Sequence, residues 1–341
     1  MASRSTLAEL ADNLGLSVNT VSRALTGKDG VSGRTRDLVR EEAARIGYVT
    51  RRSFDPTART SRVIALTIPS PTHTFSAELL AAIETGTRAA GYSLDLFTTE
   101  ESEQEEDDIA RTIVDADVAG AIVIPVQGAD APWTRVRAAG VPLVVVSRAL
   151  DDLESDFVGV DSEAGEYAAV RHLLNQGCRS LVFLEEDLQI STIEERRRGF
   201  DAALAEHPGA SGQRVLVPTR RFESGRTNWR AQEAYRAFLD VLDRGVEPDG
   251  VTTGDDDFAL GVMRALADRG LSAPRDVRVV GNGDHSYAEW IRPSLTSVRL
   301  PAQLVGELAV ALLLQRIGGD TGAQVTRRIK PELIVRESSA G

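Results

Sequence analysis

Hydrophobic positions recur at two different spacings along the chain, and these spacings divide it into two parts. Over residues 7–46 the apolar side chains follow a helical period. From residue 62 onward, short apolar runs such as Val141–Val146 alternate with longer amphipathic stretches. The first pattern predicts a small all-α head. The second predicts an α/β body in which continuous apolar strands form parallel sheets covered by helices on both faces.

The head shows the pattern of three short helices in helix-turn-helix order. Their buried stripes are predicted to be Leu7, Leu10, Ala11 and Leu14, then Val21, Ala24 and Leu25, then Leu38, Val39, Ala43 and Ile46. Gly15 permits a left-handed turn after the first helix, and Ser17 and Ser32 are suited to cap the next two helices. A plain three-helix bundle has the same pattern, so periodicity alone leaves DNA binding open.

The second helix of the head turns polar side chains away from its buried stripe. Its exposed face carries Val18, Asn19, Ser22 and Arg23. Asn can pair with adenine and Arg with guanine in the major groove, while the hydroxyls of Thr20 and Ser22 suit phosphates. This face is therefore a candidate DNA-reading surface.

The body is predicted to form two lobes, each a doubly wound parallel sheet. Strands are expected at 63–68, 93–97, 120–124, 142–146, 180–185, 214–218, 250–254 and 277–281, with segments near 295–300 and 324–335 crossing between lobes. The body is about 280 residues long, so two sheets are favoured over one. A ligand of such a fold lies beyond the carboxyl ends of the strands.

Charge is divided unevenly between the two parts. The net charge is −12; residues 1–61 hold 10 Lys/Arg and 7 Asp/Glu, a net of +3, which leaves −15 for the rest. A basic head on an acidic body suits a small DNA-contacting module attached to a core that does not bind DNA. The acidic run Glu100–Asp108 and the cluster Glu185–Asp187 are expected on solvated surfaces.

Composition and motifs exclude several classes of function. The single cysteine, Cys178, precludes an intrachain disulfide and a cysteine-rich metal site, and we expect it in the core. Catalytic and nucleotide-binding motifs are absent from the sequence, and its four histidines lack metal-ligand spacing, so we expect no enzyme, no cofactor and no metal. Without a leader or a membrane-spanning run, the protein is expected to be cytoplasmic, nucleoid-associated and independent of membranes.

The head closely resembles the lactose-repressor (LacI/GalR) family of transcription regulators. The matching stretches are Leu7–Ala11, Gly15–Leu25, Val31–Arg36 and Ile46–Tyr48. The resemblance implies that the base-reading positions are Val18, Asn19 and Arg23. It implies that the contacts to the DNA backbone include Thr20, Ser22 and Thr35. Such heads bind partly palindromic double-stranded operators as homodimers.

The linker at residues 50–61 departs from the family pattern. Relatives have a hinge helix whose apolar lever, commonly Leu, wedges into the minor groove. Here Thr57, preceded by Pro56, stands at that position. Pro56 is compatible with the first turn of a helix, and a shortened or absent hinge helix fits the sequence equally well. Arg51, Arg52 and Thr57 are expected to contact DNA; the alternative for the two arginines is a solvated linker.

The body resembles the effector domain of the same family, which has a periplasmic-binding-protein-like fold. The anchors of this resemblance are Glu195–Phe200, Gly254–Gly261, Val279–Asp284, Leu295–Val298 and Pro331–Arg336. It implies a DNA-binding domain at 1–49, a hinge at 50–61 and an effector-binding and dimerisation domain at 62–341. We expect the lobes of that domain at about 62–160 plus 290–319, and at about 161–289 plus 320–341.

Eight residues are predicted to contact a small-molecule effector in the cleft between the lobes. They are His73, Phe75, Ser147, Arg148, Arg196, Phe222, Asp255 and Asp284. Arg196 is the leading candidate for effector contact, because a guanidinium presents a fixed fork of hydrogen-bond donors to vicinal hydroxyls or a carboxylate. Asp255 would accept from a hydroxyl, and the aromatic candidates would stack on a ring.

Two departures from the family concern the effector. Gly283 stands where relatives have the first of two adjacent Asp residues, and Ser147-Arg148 stands where an Asp often closes a strand. The loss of acceptors and the gain of Arg148 suggest a sugar derivative with an anionic group; the alternative is a charged cleft edge that contacts no ligand.

The sequence as a whole is interpreted as a homodimeric repressor with a sugar-type allosteric effector. One alternative is a solute-binding transport protein of the same body fold, which would have a leader instead of a helix-turn-helix. The other is a degenerate regulator without a small-molecule effector.

Overall fold

The chain divides into two compact units, residues 1–58 and 59–341, which correspond to the head and the body. The computed structural model describes residues 7–25, 31–45, 61–128, 130–150, 153–219 and 229–340. None of the helices in these ranges is both long enough and apolar enough to cross a membrane.

The described part of the head consists of three helices around one small core. They are α1 (Leu7–Leu14), α2 (Val18–Leu25) and α3 (Gly33–Arg45). The core is formed by Leu10, Ala11, Val21, Ala24 and Val39. Leu38 was predicted to be buried, but its side chain is 49% exposed. The adjacent Val39 is buried as predicted, and Leu38 is not, because neighbouring positions on a helix point in different directions.

Two serines begin the second and third helices as the sequence predicts. The backbone N–H groups of Thr20 and Thr35 each donate to the cap hydroxyls, Ser17 Oγ and Ser32 Oγ, at 3.1 Å. Gly15 has φ +62°, the left-handed conformation that the turn between α1 and α2 requires. These three local features set the direction in which α2 leaves the turn.

The first lobe of the body is a parallel six-stranded sheet with helices on both faces. Its described strands are β1 (Val63–Ile68), β2 (Ser93–Thr98), β3 (Gly120–Val123), β4 (Leu143–Val146), β5 (Asp156–Val160) and β11 (Thr326–Ile329). Its described helices are α4 (Thr74–Ala89), α5 (Glu103–Asp115), α6 (Ala131–Ala138) and α11 (Ala302–Ile317). The strand order is β2-β1-β3-β4-β5-β11, with every pair parallel.

The second lobe repeats this arrangement with one antiparallel edge. Its described strands are β6 (Ser180–Glu186), β7 (Ser211–Val217), β8 (Gly250–Thr253), β9 (Arg278–Gly283), β10 (Thr296–Arg299) and β12 (Glu332–Ile334). Its described helices are α7 (Ser162–Asn175), α8 (Ser191–Ala205), α9 (Trp229–Asp243) and α10 (Asp256–Asp268). The order is β7-β6-β8-β9-β10-β12, and only the pair of β10 with β12 runs antiparallel.

Each sheet buries apolar side chains on both of its faces. In the first lobe, Ile64 and Leu66 of β1 belong to one core cluster, while Ala65 between them belongs to another. The second lobe is divided in the same way, with Val182 and Phe183 of β6 in different clusters. The predicted fold class, a helix-turn-helix head with two parallel α/β lobes, is confirmed.

The division of the C-terminal residues between lobes differs from the sequence prediction. Residues 290–299 were expected in the first lobe, but β10 pairs with β9 of the second. Residues 320–329 were expected in the second lobe, but β11 pairs with β5 of the first. Strand β5 was not predicted at all. The sheet to which a strand belongs depends on its hydrogen-bonded neighbours, and periodicity does not reveal those.

A close helix contact in the second lobe yields a test of the fold. A Cβ on Gly199 of α8 would lie 2.3 Å from the carbonyl oxygen of Glu163 and 2.9 Å from the backbone nitrogen of Tyr167, both on α7. We expect Gly199→Ala to lower the free energy of unfolding by about 1–3 kcal/mol, because backbone cannot yield as a side chain would.

The control for this substitution is Gly209→Ala, since a Cβ on Gly209 would meet nothing within 4 Å. Urea unfolding of both variants measures the difference. Equal unfolding free energies would show that α7 and α8 do not approach as closely as described.

Candidate functional site

The exposed face of α2 is the candidate DNA-reading surface of the head. Val18 is 48% exposed, and Asn19 and Arg23 are also exposed. These three predicted base-reading positions lie at the start and in the last turn of one short helix. That placement leaves their side chains outside the core of the head.

The predicted DNA-backbone contacts have different local environments. The hydroxyls of Thr20 and Thr35 lie 2.8 Å from the hydroxyls of their cap serines. Ser22 lies within α2, but its side chain is outside the described part of the structure. The linker positions predicted to contact DNA also lie outside the described residues; they are Arg51, Arg52 and Thr57.

A cleft opens in the body where the carboxyl ends of strands from both lobes meet. The predicted effector residues that line it are His73, Phe75, Ser147, Arg148, Arg196 and Asp255. His73 follows β1 and Ser147 follows β4 in the first lobe, whereas Asp255 follows β8 in the second. The cleft therefore has the position expected for the ligand site of a parallel α/β fold.

Arg196 forms a buried ion pair at the base of the cleft. Its Nε lies 2.6 Å from Glu185 Oε2, and both side chains are largely buried. Burial opposes the charge of the guanidinium, but the facing carboxylate of Glu185 raises the pKa of Arg196 above its usual value. Arg196, the leading candidate for contact with an effector, is therefore already paired with the carboxylate of Glu185.

Asp255 connects the two lobes. His73 Nε2 of the first lobe lies 3.0 Å from Asp255 Oδ2 of the second, and Arg230 Nε lies 3.8 Å from the same oxygen. The other carboxylate oxygen accepts from the N–H of Asp257 and so caps α10. Burial opposes ionisation, yet the hydrogen bond and charge of His73 hold the pKa of Asp255 below its ordinary value.

Arg148 does not offer the cleft an unpaired cation. Two of its guanidinium nitrogens lie 2.7 and 2.6 Å from the two carboxylate oxygens of Glu101, and Nη1 also donates to the carbonyl of Pro125 at 3.1 Å. The arginine is 5% exposed. Since a bidentate carboxylate neutralises it, the gain of Arg148 does not create an anion site as the sequence suggested.

Asp284 is not among the residues that line the cleft. Its carboxylate instead pairs with Arg299 Nε at 2.7 Å and with Arg336 Nη1 at 2.6 Å. Its position therefore does not support the prediction that it contacts an effector. Its carboxylate is engaged by Arg299 of β10 and by Arg336 of the C-terminal segment. Phe222, the other remaining candidate, lies outside the described residues.

The sequence interpretation missed several buried polar residues of the cleft. Glu185 and Glu186 were predicted on a solvated surface, but they are only 4% and 5% exposed and line the cleft. Asn282, close to the end of β9, and His285, just after that strand, also line the cleft. Their place at the carboxyl end of a predicted apolar strand was the available signal, and the acidic composition of the cluster obscured it.

A second misplaced acidic residue lies in the first lobe. Glu106, in the run 100–108 predicted to be solvated, is 1% exposed and accepts from the backbone of Val126 and the indole of Trp133. Burial raises the pKa of Glu106 to about 7. Cys178, by contrast, is buried as predicted, and burial raises the pKa of its thiol to about 11.

A helix-turn-helix head followed by a two-lobed ligand-binding body defines a DNA-binding transcription regulator. Residues 6–51 match the family of bacterial regulatory proteins of the lacI type, and residues 170–339 match a periplasmic-binding-protein-like domain. The regulator MalR of Streptomyces coelicolor is 30% identical, over 98% of this chain and 96% of its own length. The chain belongs to the LacI family, as the sequence resemblance indicates, and its relatives are regulators rather than enzymes.

Solved structures of the same architecture cover the chain almost completely. The complex of the regulator CelR with cellobiose has a TM-score of 0.71 and 26% identity, and covers 98% of this chain and 100% of its own. The lac repressor dimer bound to operator and an anti-inducer has a TM-score of 0.73 and 23% identity, and covers 99% of this chain and 100% of its own. The second likeness concerns the fold alone.

A carboxyl beneath the cleft yields a pH-dependent prediction. Glu166 of α7 is 1% exposed and accepts from the Thr252 hydroxyl at 2.6 Å. Burial raises its pKa from 4.5 to about 8. The folded state therefore holds this proton more tightly than the unfolded chain does, so stability falls as pH rises from about 5 to 8.

Replacement of this carboxyl tests that assignment. We expect the unfolding free energy of Glu166→Gln to fall less between pH 5 and 8 than that of the unmodified chain. The glutamine amide is neutral, like the protonated acid, and it stays neutral as the pH rises. Glu163→Gln, one turn earlier on α7 and with a side chain that is 45% exposed, serves as the control. Denaturant unfolding at each pH is the measurement. An unchanged slope in Glu166→Gln would contradict the assignment.

Proposed function

We propose that this LacI-family protein is a repressor that binds a palindromic operator as a homodimer and responds to a neutral sugar in the interlobe cleft. The observation that carries the proposal is the contact between His73 and Asp255, which joins the two lobes across the cleft. A ligand seated there must replace or reinforce this contact. Its binding is therefore linked to the relative positions of the lobes, and operator and effector affinities change reciprocally.

On the DNA side, the exposed face of α2 is the proposed reader. Val18, Asn19 and Arg23 would face base edges in the major groove. The proposed backbone contacts are Thr20, Ser22, Thr35, Arg51 and Arg52. With Thr57 in place of an apolar lever, the linker would contribute little minor-groove wedging.

On the effector side, the charge pairing in the cleft supports a neutral polyol rather than an anionic sugar. Arg196 faces Glu185, and Arg148 faces Glu101 within the first lobe. An anion would have to compete with these carboxylates. A sugar hydroxyl both donates and accepts, so it can bond to Arg196 and Glu185 without separating opposite charges. The cellobiose bound by the similar regulator CelR belongs to this class of ligand.

The two alternatives make different demands on the chain. A transport protein of this body fold does not need a DNA-reading head, and residues 6–51 match that head. A regulator without a small-molecule effector would bind its operator but remain insensitive to sugars. The experiment below separates this second alternative from the proposal.

Binding of neutral sugars is expected to stabilise the protein. A thermal-shift series with mono- and disaccharides, including cellobiose, and with glucuronate as the acidic counterpart is the measurement. We expect at least one neutral sugar to raise Tm and to change operator affinity, while glucuronate does neither. Arg196→Ala is expected to weaken that sugar at least about tenfold, because hydrogen bonds to a charged donor contribute about 1.5–3 kcal/mol.

Arg198→Ala is the matched control for this series. Arg198 lies on the same helix, half exposed and paired with Glu163 rather than facing the cleft. Selective stabilisation by glucuronate would contradict the neutral-sugar assignment. Operator binding that no sugar alters would favour the regulator without an effector.

Operator specificity is expected to depend on Arg23. Arg23→Ala should weaken binding to a selected operator by about 1–3 kcal/mol and relax preference at one base pair, if the guanidinium reads guanine. Competition binding with single-base operator variants measures both effects. Arg244→Ala, an exposed arginine of the body, provides the control for loss of one positive charge. An unchanged base preference in Arg23→Ala would refute the role in reading bases.

A further inference from the structure

Three metal-ligating side chains converge at the cleft edge of the second lobe. Carboxylate oxygens of Asp255 and Asp257 and an imidazole nitrogen of His285 all lie within 4.8 Å of one another. Asp255 and His285 are each 5% exposed. The two aspartates follow β8, and His285 follows β9, the neighbouring strand of the same sheet.

A histidine of the first lobe contacts this group through one of its members. His73 Nε2 lies 3.0 Å from Asp255 Oδ2. The rings of His73 and His285 are 6.5 Å apart, centroid to centroid, and nearly perpendicular. The group of mutually close donors comprises Asp255, Asp257 and His285, and His73 is an outer partner of Asp255.

Asn282 gives an independent indication that this part of the cleft binds a polar group. Its side chain is 4% exposed and lines the same cleft as His73, Asp255 and His285. Within the described residues, its Oδ1 has no hydrogen-bond partner. A buried acceptor left unsatisfied costs free energy, so this oxygen is suited to contact a bound group or a water that the group holds.

The side chains around the cluster orient its donors. The hydroxyl of Tyr287 lies 2.5 Å from Asp257 Oδ1 and 3.2 Å from His285 Nδ1. The backbone N–H of His285 donates to Asp256 Oδ2 at 2.7 Å and fixes the loop after β9. Such outer contacts hold ligand side chains in position around metal ions.

We propose that Asp255, Asp257 and His285 bind one divalent transition-metal ion of the zinc type. Mixed imidazole and carboxylate donors suit zinc, cobalt or nickel, whereas magnesium and calcium prefer oxygen ligands alone. Three protein donors leave the fourth position of tetrahedral zinc to water or another small group. Because Asp255 also contacts His73 of the first lobe, the ion would affect the contact that joins the lobes.

The proposed ion is a second chemical input to the cleft, separate from the sugar. Asp255 belongs to both sites, so occupation of one site changes the affinity of the other. Zinc binding itself is the readout of the test below. A negative result there would leave the sugar-responsive regulator intact, and a regulator insensitive to sugars would leave the zinc site intact.

The test titrates the full chain, freed of metal by a chelator, with zinc chloride in a calorimeter. Cobalt(II) chloride in a parallel titration reports tetrahedral coordination through its visible absorption. We expect one ion per chain. His285→Ala and Asp257→Asn should abolish stoichiometric binding, whereas His73→Ala, which removes an outer partner of Asp255, should weaken it about tenfold.

His207→Ala is the control histidine, because His207 lies on the second lobe outside the cleft and its Nδ1 is 3.0 Å from the carbonyl oxygen of Ala203. Its zinc binding should equal that of the unmodified chain. Circular dichroism establishes that each variant is folded, and Asp257→Asn preserves side-chain volume if His285→Ala does not fold. Absence of stoichiometric binding, or binding that survives in a folded His285→Ala or Asp257→Asn variant, would overturn the proposal.

Discussion

The parallel pairing of strands is the constraint on which the cleft depends. A parallel neighbour can be reached only by a crossover, so the parallel strands of a lobe all have their carboxyl ends at the same edge of the sheet. The loops after β1 and β4 therefore bring His73 and Ser147 to one wall of the cleft. The loops after β8 and β9 bring Asp255 and His285 to the facing wall. Residues nearly two hundred positions apart in the chain, such as His73 and Asp255, meet because of backbone topology.

Pairing of buried charges then determines which polar groups the cleft presents. An isolated guanidinium at the depth of Arg196 or Arg148 would be costly, and each instead faces a carboxylate. Removing one partner would leave the other buried and unpaired, so the two members of each pair depend on one another. The cleft consequently offers donors and acceptors in adjacent positions, which is the pattern that a ring of hydroxyl groups presents in return.

Local features were predictable from the sequence, and features that depend on distant partners were not. The caps at Ser17 and Ser32 and the strand at 63–68 follow from a few adjacent residues. The burial of Glu185 depends on Arg196, which follows eleven residues later, and the direction of Asp284 depends on Arg336, which follows fifty-two residues later. Family patterns in the sequence placed Arg196 and Asp255 at the cleft, but they did not reveal which carboxylates would neutralise its arginines.

The exchange of strands between the lobes has a consequence for the order in which the protein can fold. Both sheets take an edge strand from residues 326–334, β11 for the first lobe and β12 for the second. Helix α11, which covers the first sheet, also comes after nearly all of the second lobe. During synthesis, the first lobe therefore lacks α11 and β11 until most of the second lobe has been made. Neither lobe can complete its sheet before residues 326–334 have been synthesised.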